Sequence, residues 1–303
     1  MNKKALLLFS GGLDSMLIVK ILQKQGIEII PVCFCSFFFD CITAEKSAKV
    51  LDLKLKIIDI SEEQLKVTKN PKRGTGKGMN PCVDCHLLMI KKAKEMMKKE
   101  NCDFIATGDV LNERPFSQNR KVFQLAEKEL DLEGLILRPL SAKLLPETIP
   151  EQKAWVKRDE LFGISGKTRK PQLTLAKEFG ITEFPNPAGG CILTDKEYSK
   201  KLFLLFEKIR DFDGQDAKTI RKGRVFWENN FLIIIGRNEK ENAEIEKLRK
   251  DKDIILEPEN FSGPTVLIRG FGKEITEQII KKAKNLLLKY SKKTLKEPII
   301  HEI

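Results

Sequence analysis

The residues richest in chemistry are Ser10-Gly11-Gly12-Leu13-Asp14-Ser15 and three cysteines, Cys82, Cys85 and Cys191. In the first set, glycine lets the backbone turn tightly and approach a ligand with no Cβ in the way. A helix starting at Asp14 and Ser15 would point its free N–H groups and positive end into the same hollow, which suits a phosphate or pyrophosphate. A carboxylate there repels phosphate unless a cation bridges the two, so Asp14 implies Mg²⁺. In the second set, Cys82 and Cys85 form a Cys-x-x-Cys at a helix start, where thiol pKa values fall and two sulfurs can share one direction. A third sulfur from Cys191, 106 residues beyond Cys85, would supply three ligands to an iron–sulfur cluster and leave one iron open to bind sulfide. Two rival outcomes use the same residues: a zinc site completed by His86, and a redox or persulfide pair. Cys33, Cys35, Cys41 and Cys102 lie among apolar residues and read as packed core thiols.

Such residues need rigid elements to hold them. Short apolar runs at Ala5–Phe9, Ile27–Cys35, Leu55–Ile60, Phe104–Thr107 and Leu135–Pro139 alternate with amphipathic patterns at Ser15–Gln25, Thr43–Leu53 and Cys85–Lys99. Strand–helix repetition with nearly continuous apolar strands predicts an α/β fold, a doubly wound parallel sheet with helices on both faces. The phosphate-type loop then falls directly after the first strand. Residues 61–81 read as a long basic, Gly-rich loop, and its Gly-Thr-Gly-Lys-Gly lacks the spacing of a Walker loop. The Pro- and Gly-rich stretch Pro185–Gly190 suggests a boundary, giving a catalytic domain over 1–195 and a smaller α+β domain over 196–303. In the latter we expect a helix at Lys196–Phe212, two strands, and a Lys-rich terminal helix at Lys273–Lys293.

The 303 residues carry 55 Lys and Arg against 43 Asp and Glu, a net +12. Half of that excess sits in the last 108 residues, with 24 basic and 18 acidic side chains. A polyanionic partner fits this balance. Seven cysteines are too few in such a chain for a disulfide scaffold. No apolar run reaches a membrane span or a signal-peptide core, so a cytoplasmic protein with no membrane partner is expected.

Ser-Gly-Gly-x-Asp-Ser after a first strand resembles the signature of the PP-loop, or N-type ATP pyrophosphatase, superfamily, with its adenine nucleotide alpha hydrolase-like fold. The resemblance implies cleavage of ATP between the α- and β-phosphates, adenylation of a substrate oxygen and release of pyrophosphate. It assigns ATP binding to Ser10, Gly11, Gly12, Asp14, Ser15, Thr107 and Gly108, with Mg²⁺ on Asp14. Asn80-Pro81-Cys82-x-x-Cys85 with a distant third cysteine is similar to PP-loop tRNA thiolases that hold a 4Fe–4S cluster. Ala106-Thr107-Gly108-Asp109 resembles the ATGH motif of the tRNA 2-thiouridylase (MnmA) family, with Asp109 in place of the His. Asn112–Gln118 and Arg138–Lys143 resemble further motifs of a short MnmA-like, ThiI-like group. Lys222-Gly223-Arg224, Gly236–Glu239 and Pro264–Gly270 look similar to the RNA-binding part of NFACT proteins.

From the resemblance we expect a tRNA uridine sulfurtransferase with Asp14, Cys82, Cys85 and Cys191 as catalytic residues. Its cofactors would be ATP, Mg²⁺ and a 4Fe–4S cluster on the three cysteines. Its partners would be tRNA and a sulfur donor, either sulfide or a cysteine desulfurase persulfide, with a homodimer left open. Arg138, Lys143, Arg221, Lys222 and Arg224 are candidate phosphate or RNA contacts, Phe226 and Trp227 lying beside the last of these. Whether 4-thiouridine or 2-thiouridine results stays open. An ATP-dependent amide or C–N ligase, or a persulfide-relay thiolase without a cluster, are the alternatives.

Overall fold

The computed structural model describes residues 3–186, 191–292 and 297–303. The chain divides into two compact units, Met1–Cys191 and Ile192–Ile303.

In the first unit, β1 (Lys4–Leu8), α1 (Leu13–Lys24), β2 (Glu28–Cys35), α2 (Ile42–Val50), β3 (Lys56–Asp59), α3 (Ser61–Lys69), α4 (Cys82–Lys99), β4 (Phe104–Thr107), α5 (Arg120–Glu129), β5 (Ile136–Leu137), α6 (Ile149–Gln152) and α7 (Lys170–Glu178) follow one another. The five strands form a parallel sheet in the order β3-β2-β1-β4-β5. The sequence of β1 explains its central place. Ala5 and Leu7 enter the core on one face, with Met16 and Ile18 of α1, while Leu6 enters the core on the other, with Ile90 and Ala93 of α4. All seven are fully buried, as a strand covered on both faces requires. The order reverses between β1 and β4, so the carboxyl ends of these two strands open the crevice where such sheets bind ligands.

Residues 61–81 differ from the expected loop. The first nine form α3, because Gln64, Leu65 and Thr68 bury one face and the Asp59 carboxylate accepts the Ser61 N–H at 2.7 Å. The rest is anchored by Arg73, whose backbone N–H donates to Asp84 Oδ2 at 2.9 Å and whose guanidinium pairs with Asp84 and Glu129.

The second unit contains α8 (Lys196–Lys208), α9 (Gly214–Thr219), β6 (Arg224–Glu228), β7 (Phe231–Ile235), α10 (Glu239–Glu246), β8 (Ile254–Pro258), β9 (Val266–Arg269), α11 (Glu277–Tyr290) and β10 (Ile300–Glu302). Its antiparallel sheet runs β10-β8-β9-β7-β6. Ile279, Ala283 and Leu287 of α11 cover one face against Ile233, Ile235 and Ile268. Arg269, 1% exposed, bonds Asp253, Asp216 and Thr219, so its buried charge is fully paired. Pro187–Gly190 of the expected boundary stretch, and Lys293 of the expected terminal helix, lie outside the described residues.

Candidate nucleotide and sulfur site

β1 delivers the chain into Ser10–Ser15 at the switch point. Gly12 is the N-cap of α1 and no side chain caps that helix, which leaves first-turn N–H groups for a ligand. Gly11 holds φ +76°, and a Cβ there would lie 2.6 Å from Ala44 Cα and Thr43 O. The loop is fixed by the Ser47 hydroxyl, donating to Gly11 O at 2.7 Å, and by the Ser15 hydroxyl, donating to Gly12 O at 2.8 Å. From the far side of the switch point, Gly108 closes in: its added Cβ would meet Ser15 N at 3.0 Å. Ser10, Gly11, Gly12, Asp14, Ser15 and Gly108 are thus gathered at one crevice. The Thr107 hydroxyl is committed elsewhere, donating to Asp109 Oδ2 at 2.8 Å.

Asp14 is the charged centre of this loop. Burial pushes its carboxyl above the usual range, and the Gln172 amide, Arg169 and Arg114 only partly offset that. Its Oδ1 is buried without a hydrogen-bond partner, an orphaned oxygen that fits a Mg²⁺ ligand. Burial, then the charge of Asp14, likewise raises Glu113, while Arg114 and Arg169 oppose the shift. Arg114, Arg169, Glu113 and Gln172 were not singled out from the sequence. Two of them lie in the Asn112–Gln118 motif, but nothing in that motif says that its charges face Asp14.

The sulfur residues adjoin. α4 begins at Cys82, so Cys82 and Cys85 share its first turn. Burial raises the Cys85 thiol well above its ordinary value, and Cys191 and Cys82 add to that. Cys85 therefore lies within electrostatic reach of both Cys82 and Cys191. Burial also raises Cys82, but Arg114 opposes the rise. Cys191 Sγ stands 3.7 Å from Phe38 O. Among the described residues, no three His, Cys, Asp or Glu side chains converge into a metal-holding group. His86 faces Asp109, with Nε2 3.3 Å from Oδ2. Burial alone would raise Asp109, yet His86, Arg138 and Gln118 hold it well below the carboxylate range.

Two expectations change. Cys33 and Cys41, expected as packed thiols, are paired as a disulfide with Cα atoms 6.1 Å apart, because the turn after β2 carries Cys41 back beside Cys33. Arg138, expected at phosphate or RNA, is 3% exposed and pairs with Glu127 at 2.6 Å while lying 3.9 Å over the Phe123 ring. Lys143 is exposed and donates to Asp159 O at 3.0 Å. In the second unit Arg221 and Arg224 are exposed, Lys222 pairs with Glu244 at 2.7 Å, and the Arg224 guanidinium lies 4.7 Å from the Tyr290 ring.

Comparison with known proteins agrees with this layout. Residues 1–143 match the family model described as thiamine biosynthesis protein (ThiI), and residues 223–301 match the NFACT protein RNA binding domain. The likeness to the ThiI family thus falls within the first unit, and the likeness to the NFACT RNA binding domain within the second. The tRNA-specific 2-thiouridylase MnmA of Caldicellulosiruptor saccharolyticus is 23% identical over 225 residues, covering 66% of this chain and 58% of that one. A probable tRNA sulfurtransferase of Thermococcus kodakarensis is 30% identical over 149 residues, covering 45% and 36%. The crystal structure of a 4-thiouridine synthetase–RNA complex with bound ATP aligns with a TM-score of 0.40 at 20% identity, covering 72% of this chain and 53% of that one. The chain thus spans little more than half the length of the first of these relatives. Among the described residues, no helix is long and apolar enough to cross a membrane.

Proposed function

We propose that the protein is an ATP-dependent tRNA uridine sulfurtransferase acting in the cytoplasm. The observation that carries the proposal is the adjacency, in one unit, of a phosphate loop at a sheet switch point and a cysteine pair, with Arg114 acting on both Asp14 and Cys82. A uracil carbonyl is a poor site for substitution because oxide leaves badly. Its oxygen attacks the α-phosphorus of ATP, a P–O bond forms, and pyrophosphate departs with the electrons of the broken α–β bridge. Sulfide then adds to the activated carbon, the C–O bond breaks, and AMP carries the former uracil oxygen away.

This chain's groups have defined parts in that sequence. The N-terminus of α1 and the Arg114 and Arg169 charges stabilise the pyrophosphate as it forms. Asp14 would hold Mg²⁺, which supplies charge neutralisation when bound. Cys82, Cys85 and Cys191 would hold a 4Fe–4S cluster, which offers an open iron for sulfide. The second unit would bind tRNA through Arg221, Lys222 and Arg224, mostly at phosphates.

A persulfide relay is the second reading, favoured by the placing of Cys82 and Cys85 in one helical turn and by the lack of a converged metal group among the described residues. There a cysteine desulfurase would leave a persulfide on Cys82. Its outer sulfur attacks the adenylated carbon, and a second cysteine thiolate then breaks the S–S bond to release the product. The disulfide left behind needs a dithiol reductant.

The test is to incubate anaerobically purified protein with tRNA, Mg·ATP and sulfide, then analyse nucleosides by mass. A thionucleoside lost in Cys191→Ala, with iron bound stoichiometrically, supports the cluster. Product formed without iron, from a persulfide donor and dithiol, supports the relay. No thionucleoside by either route refutes the proposal.

A further inference from the structure

β5 is the last strand at its end of the sheet, and Arg138 follows it directly. The side chain is buried, and its guanidinium is held in two ways. Nη1 pairs with Glu127 at 2.6 Å, and Cζ lies 3.9 Å from the centre of the Phe123 ring. Nε and Nη2, which form another donating edge of the same plane, are buried with no hydrogen-bond partner. Arginine cannot escape such a mismatch by losing its proton, and buried donors left unmatched are costly. That edge presents two parallel N–H groups, the fork that a carboxylate or phosphate accepts with two oxygens. Arg138 also lines a cavity of about 100 Å³. Arg120, Phe123 and Glu127, spaced along one stripe of α5, form one part of its wall, and residues 145–148 form another.

We propose that this cavity is a binding site for a small monocarboxylate with a short apolar tail, its carboxylate held by the Nε–Nη2 edge of Arg138. Charge selects the monoanion. Glu127 pairs with Arg138, while Glu151 and Glu147 lie beside Arg158. With Arg120 the arginines and these glutamates balance, three against three. A monoanion leaves one excess negative charge, and a phosphate dianion leaves two. The Glu151 carboxylate is further occupied by the Thr148 N–H and hydroxyl, at 2.8 and 2.6 Å, so it does not compete for the fork. Ile136, Leu137, Ala142, Leu145 and Pro146 also line the cavity, and their side chains offer the ligand's tail no donor or acceptor. The volume, about three waters' share of the liquid, suits a carboxylate with one or two further carbons and excludes a polynucleotide. β4 separates β5 from β1 and its phosphate loop, so this site does not rest on the proposed function.

The test titrates propionate into the full chain without nucleotide, followed by ligand-observed NMR. Propionamide, which has the shape without the charge, and inorganic phosphate are titrated alongside. Propionate is expected to bind with a Kd of about 1 mM, well within what a ligand of so few atoms can supply. Propionamide and phosphate are expected to bind at least about tenfold more weakly. Arg138→Lys keeps the charge but lacks the fork, and is expected to lose about tenfold in propionate affinity. Leu145→Trp fills the cavity while leaving Arg138 and Glu127 in place, and is expected to abolish binding. No propionate binding up to about 10 mM means that the cavity holds water only, and overturns the proposal. Equal binding of propionamide, or tighter binding of phosphate, overturns the ligand class. Full propionate affinity in either folded variant places the ligand elsewhere and overturns the site. Should Arg138→Lys not fold, because it loosens the buried pair with Glu127, Leu145→Trp is read alone by the same criterion.

Discussion

Gly11 and Gly12 sit side by side in the phosphate loop, yet alanine should affect them in opposite ways. At Gly11 the backbone holds φ +76°, and a Cβ would stand 2.6 Å from both Ala44 Cα and Thr43 O. These are backbone atoms of α2 and cannot swing aside. The left-handed conformation costs about 1–2 kcal/mol for a residue with a Cβ, and the forced shift of packed backbone costs about 1–3 kcal/mol more. Gly11→Ala should therefore lose about 2–5 kcal/mol, or about 4–20 °C in the melting of a unit this size. At Gly12 the backbone has an ordinary φ of −71°, and the nearest atom to an added Cβ is Ser10 Oγ at 3.5 Å. Gly12→Ala should leave the ligand-free midpoint within about 2 °C. Its methyl group projects where a phosphate would approach the loop, so Mg·ATP affinity should fall at least about tenfold. Differential scanning calorimetry and calorimetric titration on the two variants decide the matter. A Gly11→Ala protein as stable as the parent, or a Gly12→Ala protein that binds Mg·ATP normally, would refute the reasoning about this loop.

Asp14→Asn should abolish Mg·ATP binding yet make the ligand-free protein more stable at neutral pH, because burial raises the native carboxyl. The sign follows from linkage: a raised carboxyl destabilises the fold when ionised, so the parent gains stability as pH falls through that raised range and Asp14→Asn shows no such gain in urea titrations. Arg114→Met should slow iodoacetamide alkylation of Cys82 roughly threefold at neutral pH, since the guanidinium favours that thiolate. Cys102, pushed up to about 11 by burial and Glu100, should react no differently, which peptide mapping would verify. Arg269→Met leaves the buried Asp253 without its ion-pair partner and Asp216 with Lys250 alone. It should cost the second unit about 3–5 kcal/mol, seen as an earlier melting transition and weakened tRNA retention on gels.

The first unit's fold was legible wherever residues are apolar and contiguous. Phe104–Thr107 is a strand in both sequence and structure, and the helix expected at Cys85 merely starts a turn earlier, at Cys82. The loop after β1 was legible because its chemistry is local: glycine, carboxylate and hydroxyl stand together in the chain. α3 was not, since only Gln64, Leu65 and Thr68 bury a side chain there and the basic, Gly-rich stretch behind it dominates the composition. The residues that join the site across distance were also hidden. Arg169 and Gln172 reach Asp14 only because α7 packs on α1, and no periodicity in α7 announces that packing. The same holds for His86 and Asp109, which meet across 3.3 Å from α4 and from the turn after β4, and for Cys33 and Cys41, brought together by a turn.

The most direct test follows the uracil oxygen. A tRNA carrying heavy oxygen at the uridine carbonyls is incubated with the protein, Mg·ATP and a sulfur source, and the AMP is analysed by mass. Adenylation of the carbonyl requires one heavy oxygen in AMP for each thionucleoside formed. Thionucleoside accompanied by unlabelled AMP, or by cleavage of ATP to ADP, would contradict the account.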